Sequence, residues 1–241
     1  MAAHDGLDPT WKADLAGRLK ATGAALVGFA DLTCLPDAVR AGLPRAISVA
    51  VALDPAVVAE LGRGPTPRYH AEYDHANARL GDLANLAVTE LRQQGFSSMS
   101  GAVTVRVVSG DGATPLPHKT VATRAGLGWI GNSALLITRN FGAAVRLASV
   151  LTDAPFVCDE PVEESRCGTC HACLDACPAT AFTGEAWRPA IARERIVDVA
   201  ACQKVASGLA ASQGIDVTIC GICILACPWT QRYLRDSRVA E

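Results

Sequence analysis

Nine of the ten cysteines in this 241-residue sequence fall between positions 158 and 227, and Cys34 stands apart. The run Cys167-Gly-Thr-Cys170-His-Ala-Cys173-Leu-Asp-Ala-Cys177-Pro178 has the spacing C-x-x-C-x-x-C-x-x-x-C-P. Two-residue gaps let three thiolates of one tight loop reach three corners of a 4Fe-4S cubane. The fourth cysteine, displaced by three residues and followed by proline, points to a second cubane. That second centre needs its own run, and Cys220-Gly-Ile-Cys223-Ile-Leu-Ala-Cys227-Pro228 supplies it, with the isolated Cys202 between. Crossing the last cysteine of each run gives Cys167, Cys170, Cys173 and Cys227 to a first cluster. Cys177, Cys202, Cys220 and Cys223 go to the second.

Two other chemistries compete for these residues. Paired cysteines also build structural zinc sites, and thiolate softness suits either metal. The two Cys-Pro endings and the triple C-x-x-C-x-x-C are instead ferredoxin signatures. Cys167-Gly-Thr-Cys170-His171 matches the haem-attachment pattern C-x-x-C-H, but haem would leave Cys173, Cys177 and the second run unexplained. His171 is therefore read as a loop residue beside a cluster. Cys34 and Cys158 are left over and read as small buried side chains.

A second motif, Gly126-Leu-Gly128-Trp129-Ile-Gly131, fits G-x-G-x-x-G. A dinucleotide fingerprint follows a strand and opens a helix. Here residues 118–125 read as helix before the glycines and 132–138 as strand after them, so nicotinamide binding is not indicated. Glycines in such a place remove side chains where the backbone passes close to something bulky, and Trp129 adds a flat apolar surface. A tight turn whose tryptophan fills the core gives the same pattern. Titratable groups stand nearby. Asp111 and His118 are read as proton donors, with Tyr73 and His75 behind them. Lys119 and Arg124 are read as cations for an anionic group, or as a solvated helix face.

These residues must be positioned by the elements around them. Asp8-Pro9 predicts a helix start, with Trp11, Leu15 and Leu19 at helical spacing until Gly23. Strands are predicted over residues 24–29, 46–53 and 103–108. Between the last two lies a helix with Leu80, Leu83, Ala84, Ala87 and Leu91 on its apolar face and Gly95 as its stop. Segments 135–138 and 145–151 flank Arg139-Asn140-Phe141-Gly142, which reads as a turn joining two strands. Residues 1–157 thus read as an α/β or α+β domain. Residues 158–241, short segments punctuated by Cys, Pro and Gly, read as a small domain whose interior is inorganic.

The composition is 50% hydrophobic and 19% charged with a formal net charge of -2, which fits a folded globular chain and not disorder. No basic run marks a nucleic-acid partner. No apolar run reaches the roughly 18 residues of a membrane span. Met1-Ala-Ala-His-Asp5 begins no basic-then-apolar leader. The expectation is a cytoplasmic protein whose thiols stay reduced.

The segment Lys119-Thr-Val-Ala-Thr-Arg124-Ala-Gly126-Leu-Gly128-Trp129-Ile-Gly131, followed by the double cysteine motif ending Cys227-Pro228-Trp229, resembles the epoxyqueuosine reductase family. The resemblance extends upstream to Thr22–Asp31 and Ala46–Ala50, which look like that family's first two strands. It implies an α+β fold, with an N-terminal α/β cobalamin-binding domain of the nitroreductase and reductive dehalogenase kind and then a ferredoxin-like domain with two [4Fe-4S] clusters. By that resemblance the clusters feed a corrinoid held near Lys119, Arg124, Gly126, Gly128, Trp129 and Gly131. A donor such as a ferredoxin or flavodoxin supplies the electrons, and a small organic molecule is the expected substrate. Two departures matter. The family's catalytic Asp lies in an Asp-Ser-Ala-Pro segment, whereas Asp111-Gly-Ala-Thr-Pro115, aligned on the proline, puts Gly112 at that position and Asp111 one residue out of register. Queuosine-modifying members commonly continue into helical repeats that help bind tRNA, whereas this sequence stops at Glu241. With the acidic balance, tRNA is expected to be an unlikely partner. The first departure keeps a second possibility open, an electron carrier or activator without chemistry of its own.

Overall fold

The computed structural model describes Leu7 and residues 10–100 and 114–239. The helix start at Asp8-Pro9, the strand over 103–108 and Asp111 lie outside these residues. Helix α1 (Trp11–Ala21) buries Trp11, Leu15 and Leu19, as their spacing predicts. Strands β1 (Leu26–Asp31) and β2 (Arg45–Ala52) follow. The short α2 (Pro55–Val58) is opened by Asp54, whose side chain accepts from the Ala56 N–H. Helix α3 (Pro67–Gln93) begins where the Thr66 side chain accepts from the Tyr69 N–H and Pro67 fills the first turn, a start that satisfies an orphan donor and pre-sets φ. Next come β3 (Ser98–Ser100), α4 (His118–Arg124), the two-residue strands β4 (Trp129–Ile130) and β5 (Leu136–Ile137), and β6 (Val145–Thr152). The cysteine region holds α5 (Ala172–Asp175), α6 (Val199–Ser212), α7 (Ile222–Ala226) and α8 (Pro228–Val239).

The main sheet runs β1-β2-β6-β3 with every pair antiparallel. Alternation sends successive side chains to opposite faces. Phe29, Ile47, Val49, Val51, Ala148 and Val150 join the core that also takes α1 and α3. Ala30, Ala46 and Leu151 face the other way, onto Val121 of α4 and Ala125 just after it. That helix rests directly on the sheet, since a Cβ added at Gly28 would lie 2.4 Å from the Ala125 carbonyl oxygen.

The turn over 139–142 joins strands of different sheets: β5 pairs with β4, while β6 pairs with β2 and β3. Local turn chemistry carries no information on this, because the register of β6 is set by what it buries.

The core does not end at residue 157. Ala210, Ile215, Ile219 and Leu234 pack into the cluster that holds Leu53, Val57 and Leu83. The Tyr233 hydroxyl donates to the Leu53 carbonyl at 3.0 Å. Helices α5 and α7, by contrast, contain no buried residue. The apolar hold of the cysteine-bearing turns is thus limited to half-buried side chains such as Ile224 and Leu225 of α7, which pack against the main core.

Candidate metal centre

Cys167, Cys170 and Cys173 line a cavity of about 110 Å³ together with Cys227, which comes from the second run. The remaining thiols form their own group. Cys202 is pushed up in pKa by burial and then by Cys177 and Cys220. Cys223 is pushed up by burial, then by Cys220 and Cys202, with Cys173 and Cys177 behind them. Cys173 is raised to about 11 by burial, and next by Cys167, Cys227 and Cys170. Cys227 of the second run thus joins the first-run thiols at one cavity, and Cys173 and Cys223 lie close enough for one to act on the other.

Buried thiols crowded with other thiols resist ionisation, yet only thiolates ligate iron. Cationic metal resolves that conflict, and this fits the residues to a metal centre. Four thiols from two runs lining one cavity match the ligand number of a cubane. The backbone is arranged to match. Gly221 sits at φ +89 with an added Cβ only 2.7 Å from Leu61 Cδ1, and Asn132 Nδ2 donates to the Cys170 carbonyl at 2.9 Å.

The glycine motif borders this centre. An added Cβ would lie 2.1 Å from the Ile137 carbonyl oxygen at Gly128, and 2.7 Å from the Glu160 carbonyl oxygen at Gly126. At Gly131 it would lie 2.7 Å from Ile137 Cγ1 and 3.3 Å from Cys167 Sγ. The bulky neighbour that these glycines make room for is the chain itself. Trp129 is 1% exposed, so it fills the core and offers no open face. Gly128→Val is accordingly expected to lower stability by about 3 kcal/mol through overpacking, measured by denaturant unfolding. Unchanged stability would show that β5 does not close on the turn.

The titratable candidates are placed as follows. Lys119 Nζ donates to the Ala134 carbonyl at 2.8 Å, at a residue held at φ +56. Burial, and then Arg193, bring the Lys119 pKa down to about 8. Arg124 donates to the Asp31 carbonyl at 3.2 Å and to the Glu163 carboxylate at 2.8 Å. Both cations are thus engaged inside the fold. His118 Nδ1 lies 3.0 Å from Ser149 Oγ, on the α4 side of the sheet. His75 is exposed, 4.0 Å from the Glu72 carboxylate.

A polar wall beside the second thiol set escaped the sequence reading. Arg146 Nε and Nη2 both donate to Asn77 Oδ1 at 3.1 Å, and the guanidinium lies 4.1 Å over the Tyr73 ring. Tyr69 is 4% exposed. Burial holds its phenol far above the ordinary value, and Arg146, Cys223, Tyr73 and Cys220 act on it in turn. The available signal was the spacing of Tyr69, Tyr73 and Asn77 on one helix face; nothing local tied Arg146 to it.

Residues 166–230 match the family model of the 4Fe-4S double cluster binding domain. The chain is 32% identical over 136 residues to epoxyqueuosine reductase of Synechocystis sp., an alignment covering 53% of this chain and 44% of that protein. It is 32% identical over 119 residues to the enzyme of Pseudomonas aeruginosa, covering 49% and 33%. The chain therefore spans less than half the length of these curated relatives. In fold, 98% of it superposes on 35% of a catabolic reductive dehalogenase, with TM-score 0.69 and 20% identity. An epoxyqueuosine reductase solved with an epoxyqueuosine-modified tRNA-Tyr stem loop matches over 91% of this chain and 65% of that one, with TM-score 0.59 and 20% identity. That complex overturns the expectation, read from acidic balance and length, that tRNA is an unlikely partner. A net charge sums the whole surface, whereas phosphate recognition depends on local charge. No helix among the described residues is long and apolar enough to cross a membrane. The chain is thus similar to epoxyqueuosine reductases over about half its length and carries a 4Fe-4S double cluster binding domain over residues 166–230 in an α+β fold.

Proposed function

We propose that the chain is an oxidoreductase in which electrons pass through two clusters to a bound cobalamin and reduce a modified nucleoside of a tRNA stem loop, in the cytoplasm. The convergence of Cys227 on the cavity of Cys167, Cys170 and Cys173 carries this reading, because thiols crossed in this way would hold two one-electron centres side by side next to the Tyr69 and Arg146 wall. Cys167, Cys170, Cys173 and Cys227 would hold the first cluster, and Cys177, Cys202, Cys220 and Cys223 the second. When bound, the clusters supply single electrons and the corrinoid a metal centre suited to reductive bond cleavage. Tyr73, Asn77 and Arg146 would hold the corrinoid, since a phenol, a carboxamide and a guanidinium are hydrogen-bonding partners for its peripheral amides. Lys119 fixes the loop at Ala134. His118, steadied by Ser149, and Asp111 are the proposed proton donors. Similarity to epoxyqueuosine reductases, one of them solved on a tRNA stem loop, supports the substrate class.

The test is a single-turnover assay. Cluster-loaded protein, cobalamin, a chemical reductant and epoxyqueuosine-bearing tRNA are mixed anaerobically, and the nucleosides are digested and separated. Loss of the epoxide oxygen as water, with uptake of two electrons and two protons, is the expected result. Cobalamin binding without conversion would overturn the substrate, and clusters without cobalamin binding would leave an electron carrier.

A further inference from the structure

We propose that the indole N–H of Trp129 donates a hydrogen bond to a sulfur of the first cluster, so that Trp129 sets that cluster's potential; this rests on the ligand assignment proposed above. Among the described residues three buried side-chain polar atoms have no hydrogen-bond partner, namely Trp11 Nε1, Ser48 Oγ and Trp129 Nε1. Trp11 stacks on Phe156 in the main core, against which Cys158 is the cysteine that packs, and Ser48 lies within the main sheet. Trp129 shares its apolar cluster with Cys227 and Cys167.

The strand geometry gives the side chain its direction. Trp129 stands directly opposite Ile137, and opposite residues of an antiparallel pair project to the same face. Ile137 lines the cavity of Cys167, Cys170, Cys173 and Cys227. The pairing continues through the Gly131 N–H, which donates to the Leu135 carbonyl at 2.9 Å, so Gly131 shares the face of Trp129 two residues earlier. The Cβ direction of Gly131 leads to Cys167 Sγ, 3.3 Å from where that atom would be. Trp229, another lining residue of the cavity, meets the Trp129 ring edge to face at 5.3 Å.

A buried N–H without an acceptor is costly, and indole nitrogen is a donor only. The polypeptide leaves this donor unsatisfied within the apolar cluster that Trp129 shares with Cys167 and Cys227. The acceptors that loading adds there are inorganic sulfide and thiolate sulfur. Donation to sulfur favours the more negative, reduced cluster and so raises its potential. The neighbouring glycines take on a purpose in this light, since they hold the strand that aims the indole.

Trp129→Phe removes the donor and keeps an aromatic ring. At a fixed solution potential the reduced-to-oxidised ratio of the first cluster is expected to fall about tenfold, a shift of about 59 mV for a one-electron couple, with iron content unchanged. In the unaltered protein, labelling tryptophan with ¹⁵N is expected to reveal indole hyperfine coupling to the reduced first cluster by electron-nuclear double resonance, which needs no variant to fold. Full iron content with neither shift nor coupling would overturn the proposal alone, the donor then being paired with water. An unaltered protein that assembles no first cluster would instead overturn the ligand assignment beneath it.

Discussion

Protein prepared without oxygen is expected to hold about eight iron and eight acid-labile sulfide per chain, and stripping that iron is expected to open only the cysteine-bearing turns. The reason lies in how the tail is held. Helices α5 and α7 bury no residue, and α7 adds only the half-buried Ile224 and Leu225 to the main core, so the turns around residues 167–180 and 220–227 depend largely on their ligands for shape. Helices α6 and α8 differ, because Ala210, Leu234 and the adjoining Ile219 belong to the main core. Burial of each such Leu or Ile side chain is worth about 1.5–3 kcal/mol, and none of it is lost with the metal. Hydrogen exchange on chelated protein should therefore show fast amides in the two turns beside protected amides in α6 and α8. Stoichiometric zinc with little iron would defeat the cluster assignment. Retained protection across 167–180 after complete iron loss would defeat the account of what holds those turns.

What was legible in advance follows from which signals are local. The double cluster domain could be read from spacing because a tight loop and a cubane have matching dimensions, and the Cys-Pro endings pointed to Cys227, which the fold brings to the first-run thiols. The helix of residues 118–125 and the face carrying Leu80, Leu83 and Leu91 were equally local. The role of the glycines was not. Gly128 makes room for the Ile137 carbonyl, and a spacing pattern says that something approaches without saying what. Lys119 and Arg124 looked available for an anion because their partners, the Ala134 carbonyl and the Glu163 carboxylate, are brought to them by the fold. Arg146 was passed over for the mirror reason, since its tie to Asn77 spans two elements distant in sequence. The partner was misjudged because a charge total was used where a local distribution decides.

Replacing Cys177 with Ala is expected to remove the cluster of Cys202, Cys220 and Cys223 while leaving the one made by the first run, although Cys177 belongs to that run in sequence. Cys177 is among the thiols that act on Cys202 and on Cys220. The thiol that completes the cavity of Cys167, Cys170 and Cys173 is Cys227. Iron should fall by about four per chain, and the surviving electron paramagnetic signal should be the one that Cys227→Ala abolishes. Cys158→Ala separates ligand loss from general damage. Cys158 lies in neither set, and burial raises its thiol with Arg45, Asp31 and Lys12 rather than other cysteines acting on it, so iron and both signals should persist. Two variants losing complementary clusters is an outcome that a sequential assignment, one run to one cluster, does not produce. Were Cys177→Ala to lose the signal that Cys170→Ala also loses, the runs would be uncrossed. The adjacency of the two centres next to Tyr69 and Arg146 would then need a different basis.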